Sequence, residues 1–154
     1  MPAGSMLAPH YKQSNPGACL PACVRMVLAA LGDECTEAHI AAALDSYEFG
    51  TPAGRVTRLT ELGYRVQYGP SSLEELDIHL KRHTLPIVFV RADLLPWADF
   101  GGFHALVLVQ ITATDVALLD PALEDGPTSL SRDGFLLAWE EFDCLAAIIV
   151  KSGQ

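Results

Sequence analysis

The sequence of 154 residues is poor in basic side chains: 10 Lys and Arg stand against 19 Asp and Glu, which gives a formal net charge of −9. A surface of this sign repels phosphate backbones and anionic lipids, so the charge argues against nucleic acid and membrane surfaces as partners. No stretch approaches the roughly 20 consecutive apolar residues that a membrane helix needs. We therefore expect no membrane insertion, and a cationic peptide is the better electrostatic match.

Cysteine is also scarce, with four in the chain: Cys19, Cys23, Cys35 and Cys144. The N-terminus has no basic segment followed by an apolar one, so no signal peptide is visible, and we expect a cytoplasmic protein with reduced thiols. A zinc site needs closely grouped Cys and His ligands. Only the first two cysteines are close in sequence, so we expect neither a metal nor a cofactor.

The length fits one domain, and half of the residues are hydrophobic, which is typical of a compact globular protein. Residues 1–12 contain two prolines and a glycine without periodicity, and we interpret them as a flexible N-terminal arm. Residues 13–154 form the predicted single domain.

Hydrophobic periodicity predicts the secondary structure of this domain. We expect helices at about residues 19–31, 37–44, 56–62, 72–80 and 135–142, and strands at about residues 64–68, 86–90, 105–111, 116–119 and 145–150. Helices come first and most strands follow, which indicates an α+β fold with N-terminal helices packed on a mainly antiparallel sheet.

Cys19 stands at the start of the first strongly helical segment. A thiol at this position is exposed to the positive end of the helix dipole, which favours the reactive thiolate. Cys19 is therefore a candidate nucleophile. The alternative is a small buried side chain, as is common for free cysteines.

His104 and Asp120 are the candidates for its partners. His104 opens the most apolar strand, after two glycines that let the backbone approach a neighbour closely, as at the rim of a cleft. Asp120 ends the next strand. If the two strands form a hairpin, both side chains come within reach, provided that a bulge or offset compensates for the outer position of His104. A carboxylate there would fix the imidazole tautomer. The alternatives are a structural histidine and a simple Asp-Pro turn.

Gln13 lies six residues before Cys19. A side-chain amide there can donate a hydrogen bond to an oxyanion, beside the backbone N–H of Cys19. A glutamine in a loop indicates nothing alone. However, Gln, Cys, His and Asp occur here in the chain order that builds one known active site.

Three segments resemble the bacteriocin-processing cysteine peptidases, which trim leader peptides after a double glycine. The nucleophile segment is Gln13-Ser-Asn-Pro-Gly-Ala-Cys19-Leu-Pro-Ala-Cys23, and the histidine and aspartate strands are Gly102-Phe-His104-Ala-Leu-Val-Leu-Val109 and Val116-Ala-Leu-Leu-Asp120-Pro121. The resemblance spans about residues 13–150.

This resemblance implies a papain-like fold and a cysteine peptidase that hydrolyses a peptide bond through a thioester. Cys19 would attack the scissile carbonyl, His104 would take and return the proton, and Asp120 would hold His104. Gln13 would line the oxyanion hole. The implied substrate is a peptide or protein, with leader-peptide processing as one such role.

The chain differs from the family in the residues on either side of the nucleophile and in the fusion to a transporter that many family members have. The family usually has an acidic residue before the nucleophile and a glycine after it, where this chain has Ala18 and Leu20. Leu20 is therefore expected to place a bulky side chain where the family keeps the site open. Many relatives are fused to a membrane transporter. This chain would instead act as a free peptidase or with a separate transporter or substrate-presenting protein.

Two other functions stay open on the sequence. An acyltransferase or amidase would use the same nucleophile and base. A catalytically silent module would keep the fold and use the cleft to bind a peptide; the presence of both Cys19 and His104 counts against it.

Overall fold

The computed structural model describes residues 8–153. Within them lie four α-helices: α1 (Cys19–Ala30), α2 (Glu37–Ala43), α3 (Leu73–Lys81) and α4 (Arg132–Glu140). Two 3₁₀ helices cover Ala53–Leu62 and Ala92–Leu94. The strands are β1 (Tyr64–Pro70), β2 (Ile87–Arg91), β3 (Phe103–Ile111), β4 (Asp115–Leu119), β5 (Thr128–Ser131) and β6 (Leu145–Lys151).

Polar caps and a glycine explain where several helices begin and end. The hydroxyl of Thr36 accepts a hydrogen bond from the His39 amide at 3.1 Å, and that of Ser72 accepts one from Glu75 at 3.2 Å. Such caps satisfy amides that have no partner within the helix. Gly63 ends the first 3₁₀ helix with φ 93°, a left-handed conformation that favours glycine.

The strands form one antiparallel sheet in the order β1-β6-β2-β3-β4-β5. Helix α1 packs against β3 and helix α4 against β2. The central strand β3 is buried from His104 to Val109, because it has neighbours on both edges and helices above the sheet. The predicted α+β architecture, with helices packed on a mainly antiparallel sheet, is confirmed.

The edge strand β5 is absent from the sequence prediction. Its four residues, Thr-Ser-Leu-Ser, include a single buried side chain, that of Leu130. This strand is defined by its pairing with β4. A short edge strand of this kind has little hydrophobic pattern in its own sequence. The following helix also begins earlier than predicted, at Arg132, because the hydroxyl of Ser131 caps it by accepting from the Gly134 amide.

A β-bulge interrupts the pairing of β3 with β4. Near the turn, Ile111 pairs with Val116 and Gln110 with Ala117, whereas further out Leu108 pairs with Leu118 and Val107 with Leu119. Val109 is therefore an extra residue on β3. Side chains alternate between the two faces of a strand. One extra residue on β3 therefore changes which residues of β3 and β4 lie on the same face of the sheet beyond the bulge.

The consequence of the bulge concerns Asp120. An uninterrupted register would pair Asp120 with Val107 and direct its side chain to the face opposite that of His104. With Val109 inserted, Asp120 follows Leu119 into a position opposite Leu106, on the face of His104. The bulge thus supplies the offset that the sequence required.

Part of the predicted N-terminal arm contacts the domain, while residues 1–7 of that arm lie outside the described residues. His10 donates from Nε2 to the carbonyl oxygen of Leu123 at 2.7 Å. The Arg25 guanidinium lies 3.8 Å from the ring centre of Tyr11, and Lys12 forms an ion pair with Glu124. These contacts hold residues 10–12 beside the loop that follows β4.

Candidate active site

Cys19 is the first residue of α1, and a tight turn leads into it. The Gly17 amide donates to Asn15 Oδ1 and the Ala18 amide to the Asn15 carbonyl oxygen, both at 3.0 Å. A Cβ at Gly17 would lie 2.4 Å from the carbonyl oxygen of Glu48, so only glycine fits. No side chain from the described part of the protein caps α1. Its first amides therefore remain available to a ligand beside the thiol.

The structure brings Cys19, His104 and Asp120 together. His104 Nε2 donates to Asp120 Oδ1 at 2.7 Å, and the second ring nitrogen remains for a hydrogen bond with the Cys19 thiol. Cys19 is 8% exposed, His104 2% and Asp120 fully buried. Of these three residues, Cys19 is therefore the most accessible to solvent.

Burial and hydrogen bonding act in opposite directions on the charges of this pair. Burial disfavours the imidazolium and lowers the pKa of His104, but hydrogen bonds and attraction to Asp120 and Cys19 outweigh it and raise that pKa to about 9. Burial likewise raises the pKa of the Asp120 carboxyl, but the bonds that it accepts from His104, Trp97 and Ala122 bring that pKa below its usual value. At neutral pH the pair is imidazolium and carboxylate.

Three donors converge on the Asp120 carboxylate. Oδ1 accepts from His104 and from the Ala122 amide at 2.8 Å, and Oδ2 accepts from the Trp97 indole Nε1 at 2.9 Å. The Phe100 ring meets the His104 ring edge to face, with 4.9 Å between centroids. Trp97, Phe100 and Ala122 are not among the site residues predicted from the sequence. The available signal in the sequence is the presence of two aromatic residues, Trp97 and Phe100, shortly before His104.

Gln13 lies on the side of the site formed by the loop after Asp120. Its backbone N–H donates to the Pro121 carbonyl oxygen at 2.7 Å, and its side chain lines a cavity of about 430 Å³ with Phe100 and Ala122. Nε2 donates to the Asn15 carbonyl oxygen at 2.9 Å, whereas Oε1 is buried without a partner. The amide carries two hydrogens on Nε2, so one remains for a further acceptor.

The position of Leu20 differs from the expectation that its side chain would crowd the site. Leu20 is fully buried within the hydrophobic core. Successive residues on a helix project about 100° apart, so the side chain of Leu20 points in a different direction from that of Cys19, which is 8% exposed. Cys23 is fully buried too, and burial raises the pKa of its thiol well above the usual value, as do the charges of Cys19 and Asp120.

Within residues 8–153, the structure also bears on metal ligands, membrane spans and disulfides. These residues contain no group of three or more His, Cys, Asp and Glu side chains placed to hold a metal ion. None of their helices combines the length and the apolar character required to cross a bilayer. All four cysteines are free thiols.

Solved structures share this fold at low sequence identity. A C39-like peptidase from Bacillus anthracis aligns over 97% of this chain and 98% of its own, with a TM-score of 0.78 and 15% identity. The peptidase domain of Streptococcus ComA, a bifunctional ABC transporter involved in quorum sensing, covers 93% and 98%, with a TM-score of 0.74 and 19% identity. A double-glycine-motif protease of an AMS/PCAT transporter, in complex with the leader peptide, covers 97% and 95%, with a TM-score of 0.75 and 18% identity.

The architecture is that of a papain-like cysteine peptidase. The model of the peptidase C39 family matches residues 8–150, nearly the whole chain, and the protein belongs to this family. The predicted family, the papain-like fold and the assignment as a cysteine-type peptidase are thereby confirmed. None of the curated proteins matches the sequence.

Proposed function

We propose that this protein hydrolyses a peptide bond with Cys19 as nucleophile, His104 as general base and acid, and Asp120 as the group that holds His104. The observation that carries this proposal is the chain of side chains in which Cys19 lies beside His104 and His104 Nε2 donates to the buried Asp120 carboxylate. In such a chain, the proton of the thiol resides on His104 as an imidazolium that Asp120 stabilises, which leaves Cys19 as the thiolate.

In the first half of the reaction, the Cys19 thiolate adds to the scissile carbonyl carbon. The negative charge that develops on the carbonyl oxygen is stabilised by the backbone N–H of Cys19 and by the free N–H of the Gln13 side chain. His104 then gives its proton to the leaving amine as the C–N bond breaks. The products of this half-reaction are the released amine and a thioester on Cys19.

In the second half, water replaces the amine. His104, now neutral, removes a proton from the water as its oxygen adds to the thioester carbonyl. The C–S bond then breaks, the carboxylic acid leaves, and the proton on His104 restores the thiolate–imidazolium pair. Throughout both halves, Asp120 keeps the imidazole in the orientation in which Nε2 faces the carboxylate.

We further propose a substrate with small side chains next to the scissile bond, as in a leader peptide that ends in two glycines. A thiol that is only 8% exposed is reached most easily by a backbone without bulky flanking side chains. A protease of the same fold carries the double-glycine description and was solved in complex with the leader peptide. The burial of Leu20 removes the obstacle that the sequence suggested beside the nucleophile.

A separate transporter or substrate-presenting protein, encountered in the cytoplasm, is the partner that we propose for this peptidase. Similarity of fold to the peptidase domain of a transporter supports such a partner.

The proposal is tested first by alkylation of the four cysteines with iodoacetamide as a function of pH, followed by mass spectrometry. We expect Cys19 to react well below pH 7, and we expect this advantage to disappear in His104→Ala. Cys35, which is partly exposed, serves as the internal control thiol. If Cys19 reacts no faster than Cys35 at any pH, the thiolate–imidazolium pair does not exist and the catalytic assignment fails.

Cleavage of a peptide library then tests the reaction itself. Cys19→Ala should abolish cleavage and leave the fold intact, whereas Cys35→Ala should cleave like the wild type. Cleavage retained in Cys19→Ala would overturn the assignment. Transfer of the acyl group to added amines in preference to water would identify an acyltransferase, and binding without either reaction would identify a peptide-binding module.

A further inference from the structure

The segment between β2 and β3 forms a closed loop over the site. At its base, the Ala92 amide donates to the Gly102 carbonyl oxygen at 2.7 Å, and the Gly102 amide donates to Asp93 Oδ1 at 3.2 Å. Arg91 holds the Asp93 carboxylate through Nε at 3.0 Å from each oxygen. The two ends of the loop are therefore joined to each other and to the end of β2.

This loop presents an aromatic side chain to each member of the His104–Asp120 pair. The Trp97 indole N–H donates to Asp120 Oδ2 at 2.9 Å. The Phe100 ring, 38% exposed, stands nearly perpendicular to the His104 ring at 83°. The loop thus contacts the carboxylate from one side and the imidazole from another.

The two oxygens of Asp120 have different partners. Oδ1 faces His104 and the Ala122 amide, while the only hydrogen bond within residues 8–153 that reaches Oδ2 comes from Trp97. Asp120 is fully buried, so no solvent replaces a missing donor. An unpaired oxygen of a buried carboxylate is costly, and the carboxylate would rotate or take up a proton to avoid it.

We propose that Trp97 is a positioning residue of this peptidase, whose indole N–H fixes the rotation of the Asp120 carboxylate and keeps Oδ1 directed at His104 Nε2. The inference rests on the proposed function, because Trp97 acts on the reaction only through Asp120 and His104. An indole N–H is well suited to this role because it donates a hydrogen bond, accepts none and does not titrate, so it does not compete with His104 for the proton.

The test compares Trp97→Phe with Trp139→Phe. The first keeps an aromatic ring and removes the N–H that Asp120 receives. The second removes the same group from a tryptophan that donates to the Leu145 carbonyl oxygen at 2.8 Å, outside the site. We expect Trp97→Phe to lower kcat by about 10- to 100-fold with little change in KM, since one hydrogen bond to a charged group is lost from the transition state. We expect Trp139→Phe to lower thermal stability without this fall in kcat.

Two readouts separate positioning from a general loss of stability. The first is the NMR signal of the proton between His104 Nε2 and Asp120, which should broaden or shift in Trp97→Phe and persist in Trp139→Phe. The second is the pH dependence of Cys19 alkylation. The Trp97 bond lowers the pKa of the Asp120 carboxyl. Its removal should therefore move the loss of the NMR signal on acidification to higher pH and change the pH profile of Cys19 alkylation.

Both readouts work without a substrate, so failure of the proposed function and failure of this inference are distinguishable. If the wild type cleaves no peptide, the NMR signal and the alkylation profile still report whether Trp97 positions Asp120. Should Trp139→Phe fail to fold, these readouts compare Trp97→Phe directly with the wild type. Unchanged kcat, NMR signal and alkylation profile in Trp97→Phe would overturn the inference.

Discussion

Replacement of Asp120 by asparagine removes the charge that the structure places behind His104. Three donors converge on the two oxygens of Asp120. Asparagine has one acceptor oxygen, and two of the donors are satisfied only if that oxygen faces His104 and the Ala122 amide. The amide NH₂ then meets the Trp97 indole N–H, donor against donor. We expect Asp120→Asn to keep a neutral hydrogen bond to His104 and to lose both the charge and the Trp97 bond.

The magnitude follows from the pKa of His104. Asp120 and Cys19 together raise it from 6.5 to about 9 against the effect of burial. At about 1.36 kcal/mol per pKa unit, this is a stabilisation of the imidazolium by roughly 3 kcal/mol. If most of it comes from Asp120, the charge contributes about 2–3 kcal/mol, which corresponds to a rate loss of about 30- to 200-fold. A misplaced imidazole would add to this loss, as in serine enzymes, where the equivalent change costs up to about 10⁴-fold.

Steady-state cleavage of a peptide substrate across pH measures this effect. We expect kcat/KM of Asp120→Asn to fall by at least about 30-fold, and the alkaline limb, set by the imidazolium, to move from about 9 towards lower pH. Asp115→Asn is the matched control, since Asp115 is an exposed residue at the start of β4. A rate and an alkaline limb in Asp120→Asn equal to those of the control would refute the role of Asp120 and make it a turn residue.

Three further predictions concern the oxyanion, the second buried thiol and stability. Gln13→Ala should lower kcat by about 10²- to 10³-fold with little change in KM, because its amide acts on charge that develops only in the transition state; a fall in affinity alone would make it a binding residue. Cys23→Ala should keep the wild-type kcat while the midpoint of urea unfolding decreases, since Cys23 is fully buried; complete inactivity with a native fold would contradict this. The stability advantage of the wild type over Asp120→Asn should be largest between about pH 4 and pH 6.5 and should decrease as the pH rises through about 9, because the pKa of His104 is raised in the folded state. Urea titrations at pH 6 and pH 10 measure it, and an advantage that grows with pH would show that the charge pair is not its source.

The elements that can be predicted from the sequence are those whose signals are local. Helix α1 follows from helical spacing of its apolar residues, and the starts of α2 and α3 follow from the hydroxyls of Thr36 and Ser72. Strand β5 is not predictable in this way because its identity depends on pairing with β4 rather than on its own four residues. A local pattern carries no information about such a partner.

The same limit applies to the site. The chain order of Cys19, His104 and Asp120 matches a known arrangement and predicts them together, and the structure places them in contact. Trp97 reaches Asp120 only because hydrogen bonds close the loop between β2 and β3, a long-range feature that no spacing reveals. The expectation for Leu20 is wrong because a residue adjacent to the nucleophile in sequence need not be adjacent to the cleft, since neighbours on a helix point in different directions.

The bulge at Val109 limits how the lengths of β3 and β4 can change. Deletion of Val109 would leave Leu108 opposite Leu118 and Val107 opposite Leu119, so the two strands would pair without a bulge and Asp120 would stay on the face of His104. An additional residue in β3 beyond the bulge, or the loss of one residue from β4 before Leu119, would instead shift the pairing by one and turn the carboxylate away from His104. We expect an insertion in β3 or a deletion in β4 to be tolerated only with a compensating change in the other strand, whereas the turn at residues 112–114 can vary in length. Relatives of this peptidase should therefore differ in the length of that turn while the two strands keep a fixed count from the bulge to the histidine and the aspartate.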